Sequence, residues 1–373
     1  MAANKKIHVG LIFGGRSGEH EVSLASAMSV YKALDKSRYD VTMIGIDKDG
    51  RWLMPDVQNL LAQAENPMLV KLSKTSGEFG LIPYPRQQQL ISLNPGQMGP
   101  GAIDVILPIL HGTYGEDGTI QGLFELAQIP YVGSGVLGSA VGMDKDVAGR
   151  LFEQAGIKTV PTIVIRKSDW KKSPERIRDR LQSEFGYPFF VKPANAGSSV
   201  GVHKVKGPRD IEAALKDAFA FDLKVLVQKG VAARELEVAV LGNENPKASI
   251  VGEIVPKREF YSYEAKYIDE NGAELKIPAD NVPEDTLKKV QDWAVQAFQV
   301  LDLRGMARVD FFLDRDTGEL FLNEVNTIPG FTKISMYPKL WEASGLPYSK
   351  LLDELIRLAL EHHAEKRELK TEY

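Results

Sequence analysis

Two apolar runs near the C-terminal end, Met306 to Leu313 and Glu319 to Val325, enclose the turn-forming stretch Asp314-Arg-Asp-Thr-Gly318. That pattern reads as a β-hairpin. Side chains alternate along a strand, so Arg308 and Asp310 share one face, as do Glu324 and Asn326. A hairpin folded symmetrically about Thr317 sets Asp310 opposite Glu324 and Arg308 opposite Asn326. Two carboxylates and an amide beside a guanidinium, on an otherwise apolar hairpin, are costly to bury without a partner. Hard oxygen donors of this kind suit Mg²⁺, which takes one or two carboxylates and completes its shell with substrate phosphates. The plainer alternative is a solvated face with surface ion pairs, and a one-residue slip of register would dismantle the set. The coincidence of three oxygen donors and an arginine, followed by the Pro329-Gly330 loop start, favours a metal–phosphate site.

At 373 residues the chain has room for two or three domains. A hydrophobic fraction of 43% with 26% charged residues is that of a globular protein. The net charge of −4 argues against a general nucleic-acid or anionic-membrane binder. There is no cysteine, which excludes disulfides, thiolate catalysis and Cys-ligated zinc. The N-terminal apolar run Ile7 to Phe13 is too short to span a bilayer, and Gly-Gly-Arg follows where a signal peptide would continue. A cytoplasmic location is expected.

The N-terminal order is strand (Ile7 to Phe13), Gly14-Gly-Arg-Ser-Gly18 loop, helix (about Glu19 to Leu34), strand (Val41 to Ile46). This predicts a βαβ unit and a parallel sheet. Residues 55 to 100 yield no placeable elements. Ile103 to Leu110 returns to strand, and His111-Gly-Thr-Tyr-Gly-Glu-Asp-Gly118 leaves it. A short helix follows at Ile120 to Ala127, then a loop at Gly133 to Gly138 and a helix at Asp144 to Ala155. Beyond Lys158, short strands alternate with helices near 174–184 and 208–219, as in a separate α+β module. Strands at 235–241 and 249–255, a helix at 284–301, the hairpin and an amphipathic helix at 348–363 complete the chain. The tail from Glu365 is expected to fray.

Several segments carry possible chemistry. Lys192-Pro-Ala-Asn-Ala-Gly197-Ser-Ser-Val-Gly201 follows an apolar strand, and small residues let backbone N–H groups approach a ligand. Lys192 adds a point charge for phosphate. This is not a Walker A sequence, because the lysine precedes the glycines, and an ordinary turn is an equal alternative. Lys145, in the first turn of a helix, is a second phosphate contact or a solvated lysine. Gln228 to Val231 leaves a buried strand, where backbone groups could pair with an adenine edge. Glu235 could reach a ribose hydroxyl. The glycine loop at 14–18 lacks the G-x-G-x-x-G spacing of dinucleotide folds, and Glu19 within it suits an ammonium group or the helix N-terminus. His111 is the one histidine in a glycine-rich loop at a strand's end. His362 and His363 read as solvated, and no histidine pair has metal spacing. The aromatic stretch Phe260 to Tyr267 suggests a lid over 258–276, or a loop packing its own rings.

Together these motifs closely resemble the D-alanine–D-alanine ligases of the ATP-grasp superfamily. The likeness runs from Gly14-Gly-Arg-Ser-Gly-Glu-His-Glu-Val-Ser23 to Pro329-Gly-Phe-Thr-Lys-Ile-Ser335-Met-Tyr-Pro338. Asp310, Glu324 and Asn326 alone would mark only the superfamily, whereas the first, lid and last motifs mark the ligases. The resemblance implies an α/β and α+β, three-domain ATP-grasp architecture. Its domains are a parallel-sheet α/β domain (1–142), a small central domain (143–222) and a C-terminal domain with metal site and lid (223–373). ATP is gripped between the last two.

It implies that one D-alanine carboxylate attacks the γ-phosphate of ATP. The amine of a second D-alanine then displaces phosphate, giving D-alanyl-D-alanine for peptidoglycan. By position, Lys145 and Lys192 resemble the phosphate-binding lysines, Gln228, Lys229, Val231 and Glu235 the adenine and ribose contacts, and Ser199 and Lys266 further nucleotide-binding residues. Asp310, Glu324 and Asn326 resemble ligands of two Mg²⁺ (or Mn²⁺) ions. Glu19 looks like the partner of the first substrate's ammonium. Arg308 and the Gly330 N–H look like stabilisers of the oxyanion. Ser335 looks like the anchor of the second carboxylate, with His111 and Met336 also facing substrate. Ser198 and Tyr267 look like the link between lid and Glu19.

Two departures stand out. The family commonly has Glu at the position of Gln228, and an amide can still accept from the adenine amino group. The Asp310–Glu324 spacing is about one residue longer than the family leads one to expect, which a longer turn or a bulge absorbs. The resemblance also implies a homodimer, with no nucleic-acid or membrane partner. Rival readings are another ATP-grasp ligase, including a D-alanine–D-lactate ligase, and a catalytically silent nucleotide-binding regulator. Intact Arg308, Asp310, Glu324 and Asn326 argue against the last.

Overall fold

The structure is a computed structural model that describes residues 5–63, 72, 77–83, 89–96, 98–256 and 273–370. Three sheets organise those residues.

The first sheet has the order β5-β4-β3-β2-β1-β6. Its strands are β1 (Ile7–Gly14), β2 (Tyr39–Ile46), β3 (Trp52–Leu53), β4 (Glu78–Leu81), β5 (Leu90–Ser92) and β6 (Val105–Ile109). β1 runs parallel to both β2 and β6, as the βαβ pattern predicts. The interval that yielded no elements contributes two short antiparallel strands, β4 and β5, and the helix α2 (Val57–Gln63); β3, just before it, joins them to β2. Helix α1 (His20–Ala33) covers one face. α3 (Thr119–Ala127) covers the other, placing Ile120 and Phe124 among Ile12, Ile44 and Ile106.

The segment expected as a loop to Gly138 is already helical from Val136 in α4 (Val136–Met143). Its small residues allow close approach. A Cβ at Gly138 would lie 2.8 Å from the Asp302 carbonyl oxygen, and one at Gly142 2.9 Å from Thr327. α5 (Lys145–Gln154) follows, with Asp144 accepting from the Asp146 and Val147 N–H groups as its N-cap.

The second sheet is antiparallel, with the order β7-β10-β8-β9. Its strands are β7 (Thr162–Arg166), β8 (Phe189–Pro193), β9 (His203–Val205) and β10 (Lys224–Lys229). One face packs Ile163, Val191, Val225 and Val227 against α7 (Pro174–Phe185) and α8 (Ile211–Phe221), a core with no members outside 163–227. α6 (Lys167–Lys172) precedes α7. The other face presents Thr162, Phe190, Lys192, Lys204 and Gln228.

The expected division at 222/223 therefore falls just before a strand that sits inside this sheet. At the other limit, Ala148 and Phe152 of α5 point one apolar stripe into the core of the third sheet. The apolar stripe of α5 thus belongs to the third sheet's core, while Asp144 and Asp146 at its start pair with Lys224 of the middle sheet.

The third sheet has the order β13-β12-β11-β14-β15. Its strands are β11 (Ala233–Gly242), β12 (Lys247–Pro256), β13 (Ala273–Lys276), β14 (Gly305–Asp314) and β15 (Leu320–Asn326). The helix Glu284–Val300 packs on one face. On the other face Ala239, Leu241, Met306 and the helices Met336–Ala343 and Tyr348–Arg367 join the core of β1, β6 and α1. The tail expected to fray from Glu365 is helical to Arg367, and His362 and His363 are half-buried rather than solvated. The last four residues of the expected lid form β13; residues 257–272, with Lys266 and Tyr267, lie outside the described set.

Candidate active site

The hairpin takes the anticipated register, with Arg308 opposite Asn326 and Asp310 opposite Glu324. A bulge follows Asp310, and Phe311 then faces Leu322. The extra residue on β15 absorbs the long spacing seen in the sequence.

Around it, charge is held in fixed geometry. Arg308 donates through Nε and one terminal nitrogen to the two oxygens of Asp310, at 2.8 and 2.7 Å. Its Nε also lies 3.0 Å from Glu237, a buried carboxylate on β11 opposite Asp310. Asn326 Nδ2 donates to Asp310 Oδ2 at 3.0 Å. The Asn326 amide nitrogen is thereby committed, and its oxygen remains for a cation. Asp310, Glu324 and Asn326 form an all-oxygen donor set on one strand pair, which fits a hard divalent cation. Among the described residues no group of three His, Cys, Asp or Glu has metal-binding geometry. Such a cation would take two carboxylates and an amide oxygen, with phosphates completing its shell.

The two lysines converge on this hairpin from different elements. Lys145 Nζ lies 3.3 Å from Glu324 Oε2 and donates to the Ala196 carbonyl at 2.7 Å. Lys192 Nζ donates to Asn323 Oδ1 at 3.3 Å. Both belong to a cavity of about 620 Å³ between the second and third sheets. Gln228, Lys229, Val231, Glu235, Ser198 and Ser199 line it as well.

Ser198 and Ser199 sit in left-handed backbone, at φ +51° and +60°. That conformation is unfavourable for serine and clusters at ligand clamps. Behind this loop, Lys224 Nζ lies 2.6 Å from Asp144 and 2.9 Å from Asp146. The ion cluster ties the N-terminus of α5, and so Lys145, to β10.

A second, small polar cavity opens on the far side of Ser198 and Glu324, which line both. Glu19, His111, Arg308, Gly330, Ser335 and Met336 surround it. Ser198 Oγ donates to Glu19 Oε1. His111 Nδ1 pairs with the Ile328 carbonyl at 2.9 Å, which can only accept. Nδ1 therefore carries the proton, and Nε2, 3.2 Å from Ser26 Oγ, is the acceptor. Burial holds the His111 pKa below its ordinary value. Ser335 Oγ accepts from the Thr332 N–H at 3.0 Å and lies at the start of the helix Met336–Ala343. A Cβ at Gly330 would lie 2.8 Å from that hydroxyl, so only glycine lets the two approach.

Sequence reasoning missed three contributors. Glu116 accepts from the Gly112 and Ile328 N–H groups, each at 2.8 Å, and fastens the His111 loop to the loop before Gly330. Burial, and after it the neighbouring charge of Glu19, pushes the Glu116 carboxyl well up. Glu237 was signalled only by strand alternation, since it shares a face with Glu235. Lys224 gave no local signal, because its partners lie some 80 residues away.

A four-stranded and a five-stranded antiparallel sheet gripping a lysine-lined cleft above an oxygen-donor hairpin define an ATP-grasp enzyme. Family models described as the D-ala D-ala ligase N-terminus and C-terminus match residues 8–134 and 151–357. A D-alanine–D-alanine ligase of Shouchella clausii is 52% identical over 98% of each chain. D-alanine–D-alanine ligase A of Escherichia coli is 49% identical over 98% of this chain and 99% of its own. The solved D-alanine–D-alanine ligase of Coxiella burnetii superposes with a TM-score of 0.82 at 36% identity, covering 97% of this chain and 98% of its own. The VanG D-Ala:D-Ser ligase of Enterococcus faecalis gives the same TM-score at 34% identity, covering 95% and 100%. The chain belongs to the D-alanine–D-alanine ligase family.

Proposed function

We propose that this protein joins two D-alanine molecules into D-alanyl-D-alanine, with ATP converted to ADP and phosphate, for peptidoglycan synthesis. One observation carries the reading: Ser198 and Glu324 line both the large cleft and the small polar cavity, so a nucleotide γ-phosphate and an amino-acid carboxylate would meet there.

The residues then divide the work. Gln228, Lys229, Val231 and Glu235 hold adenosine, while Lys145, Lys192, Ser199 and Lys266 hold phosphates. Glu19 receives the first D-alanine's ammonium, and its carboxylate is aimed at the γ-phosphate. Asp310, Glu324 and Asn326 hold two Mg²⁺ or Mn²⁺ ions, which neutralise phosphate charge when bound. Ser335, with His111 and Met336 nearby, seats the second D-alanine. Arg308, braced by Asp310 and Glu237, and the Gly330 N–H face the oxygen that gains charge as the second amine attacks the acyl phosphate. Tyr267 completes the Ser198–Glu19 chain from the lid.

The units are an N-terminal α/β domain, a small central domain whose sheet runs to Lys229, and a C-terminal domain carrying the metal site. The protein works as a cytoplasmic homodimer without nucleic-acid or membrane partners. Among the described residues no helix is long and apolar enough to cross a membrane.

The test is incubation with ATP, Mg²⁺ and D- or L-alanine. D-alanine should yield dipeptide, ADP and phosphate, and L-alanine none. Release of AMP and pyrophosphate would refute the acyl-phosphate route.

A further inference from the structure

Gln228 and Thr162 are directly paired across β10 and β7, on the open face of the second sheet that forms one wall of the large cleft. Their contact fixes which end of the Gln228 amide is nitrogen. Thr162 Oγ1 lies 2.7 Å from the Val160 carbonyl, which can only accept. A threonine hydroxyl has one proton, so that proton is committed to Val160. Toward Gln228, 3.0 Å away, Thr162 can then only accept. The amide must present its NH₂ to Thr162 and its Oε1 to the cleft, where Oε1 has no partner among the described residues. The reversed amide would need the hydroxyl proton for itself and would strip the Val160 carbonyl of its donor.

We propose that Thr162 is a specificity-determining residue for the nucleotide base. By locking the Gln228 amide it makes the cleft wall an acceptor, so the enzyme takes a 6-amino purine and rejects a 6-oxo purine. This rests on the nucleotide assignment of the cleft made above. A 6-amino group donates to Oε1. A 6-oxo group would set two acceptors against each other, and an unpaired polar group in a bound complex is strongly discriminated against. A freely turning glutamine would serve either base, because its NH₂ could swing round to donate. Thr162 touches neither substrate in this account and acts through Gln228.

Inosine nucleotides are the probes, since they have the purine skeleton with oxygen at C6. The full-length enzyme and its Thr162→Val, Thr162→Ser, Gln228→Glu and Gln228→Glu/Thr162→Val variants are compared. Two readouts are taken: kcat/KM with MgATP and MgITP, and calorimetric binding of ADP and IDP. Valine keeps the β-branched shape and removes the hydroxyl. Thr162→Val should narrow the preference for the 6-amino base by about tenfold or more, the size of one lost hydrogen bond, in both readouts. Thr162→Ser should restore it. In the Gln228→Glu background Thr162→Val should have no such effect, because a carboxylate accepts whichever way it turns. A folded Thr162→Val enzyme with an unchanged ATP:ITP and ADP:IDP preference overturns the proposal. So does an equal narrowing in the Gln228→Glu background, which would show that Thr162 acts on the base by another route. If the wild type fails to make dipeptide but binds ADP over IDP in a Thr162-dependent way, the ligase reading falls and this one stands.

Discussion

Lys145 Nζ stands 3.3 Å from Glu324 Oε2, so a helix N-terminus and the far strand of the hairpin meet charge to charge at the point where the two cavities join. Glu324 thus faces a cation on the protein side, and the proposed function has it face metal ions on the phosphate side. Glu324→Gln keeps the size and removes the charge. Turnover should fall at least about 100-fold, as on loss of a transition-state stabiliser, while the far-UV spectrum and unfolding midpoint stay close to wild type. Near-normal turnover in this variant would reduce Glu324 to a surface carboxylate.

Lys224 is predicted to matter for stability first and for nucleotide second. Its side chain is 12% exposed between Asp144 and Asp146, at 19% and 9%. Lys224→Met leaves two poorly solvated carboxylates facing each other. The cost should be about 2 to 3 kcal/mol, below the range for a fully buried pair because water still reaches this one. Urea unfolding measures it. Because Asp144 caps α5, KM for ATP should rise more than kcat falls. A purely structural role would leave KM of the folded enzyme alone.

His111 should leave a mark on acid stability. Burial depresses its folded-state pKa below the unfolded value of about 6.5. Below pH 6.5 the unfolded chain therefore binds the proton more readily than the native one. The stability contributed by neutral His111 is complete above that pH and drains away as pH falls toward the folded-state value. Thermal unfolding from pH 7.5 to 5 should show a steeper decline for wild type than for His111→Gln. Parallel curves would mean that the histidine titrates alike in both states.

The Ser198–Glu19 hydrogen bond supplies the observed half of a polar chain that Tyr267 is proposed to finish. Tyr267→Phe removes a single hydroxyl and keeps the ring. With D-alanine and D-lactate both present, mass spectrometry should show this variant gaining D-alanyl-D-lactate relative to dipeptide. An unchanged product ratio would place the choice of nucleophile around Ser335 and Met336.

What was legible in the chain was what depends on short-range pattern. Alternation along two strands and one turn sufficed to set Arg308 against Asn326 and Asp310 against Glu324, because a hairpin's register is a local property. The parallel pairing of β1 and β2 followed from the strand–loop–helix–strand order for the same reason. What escaped was set at long range. β3, β4 and β5 have two, four and three residues, too few to show a period, and exist only because β2 offers them an edge. The helical start at Val136 was hidden by glycines, which read as a loop until Asp302 and Thr327 are seen to demand them. Glu116 and Lys224 look like any charged residues until their distant partners are in place.

One core joins β1, β6 and α1 at the beginning of the chain to the helix Tyr348–Arg367 at its end, and Asp353 there binds Tyr39 at 2.9 Å. On the ribosome this has a price in waiting. The first sheet is synthesised early, yet the face that α1 covers stays incompletely buried until the last helix clears the exit tunnel, tens of seconds later at ordinary elongation rates. The middle sheet, whose core lies wholly within 163–227, is under no such constraint and can close first. Loss of the final twenty-five or so residues should accordingly damage the beginning of the protein more than its middle, and a nascent chain stalled short of Leu351 should expose Val9, Leu11 and Leu107 to chaperones.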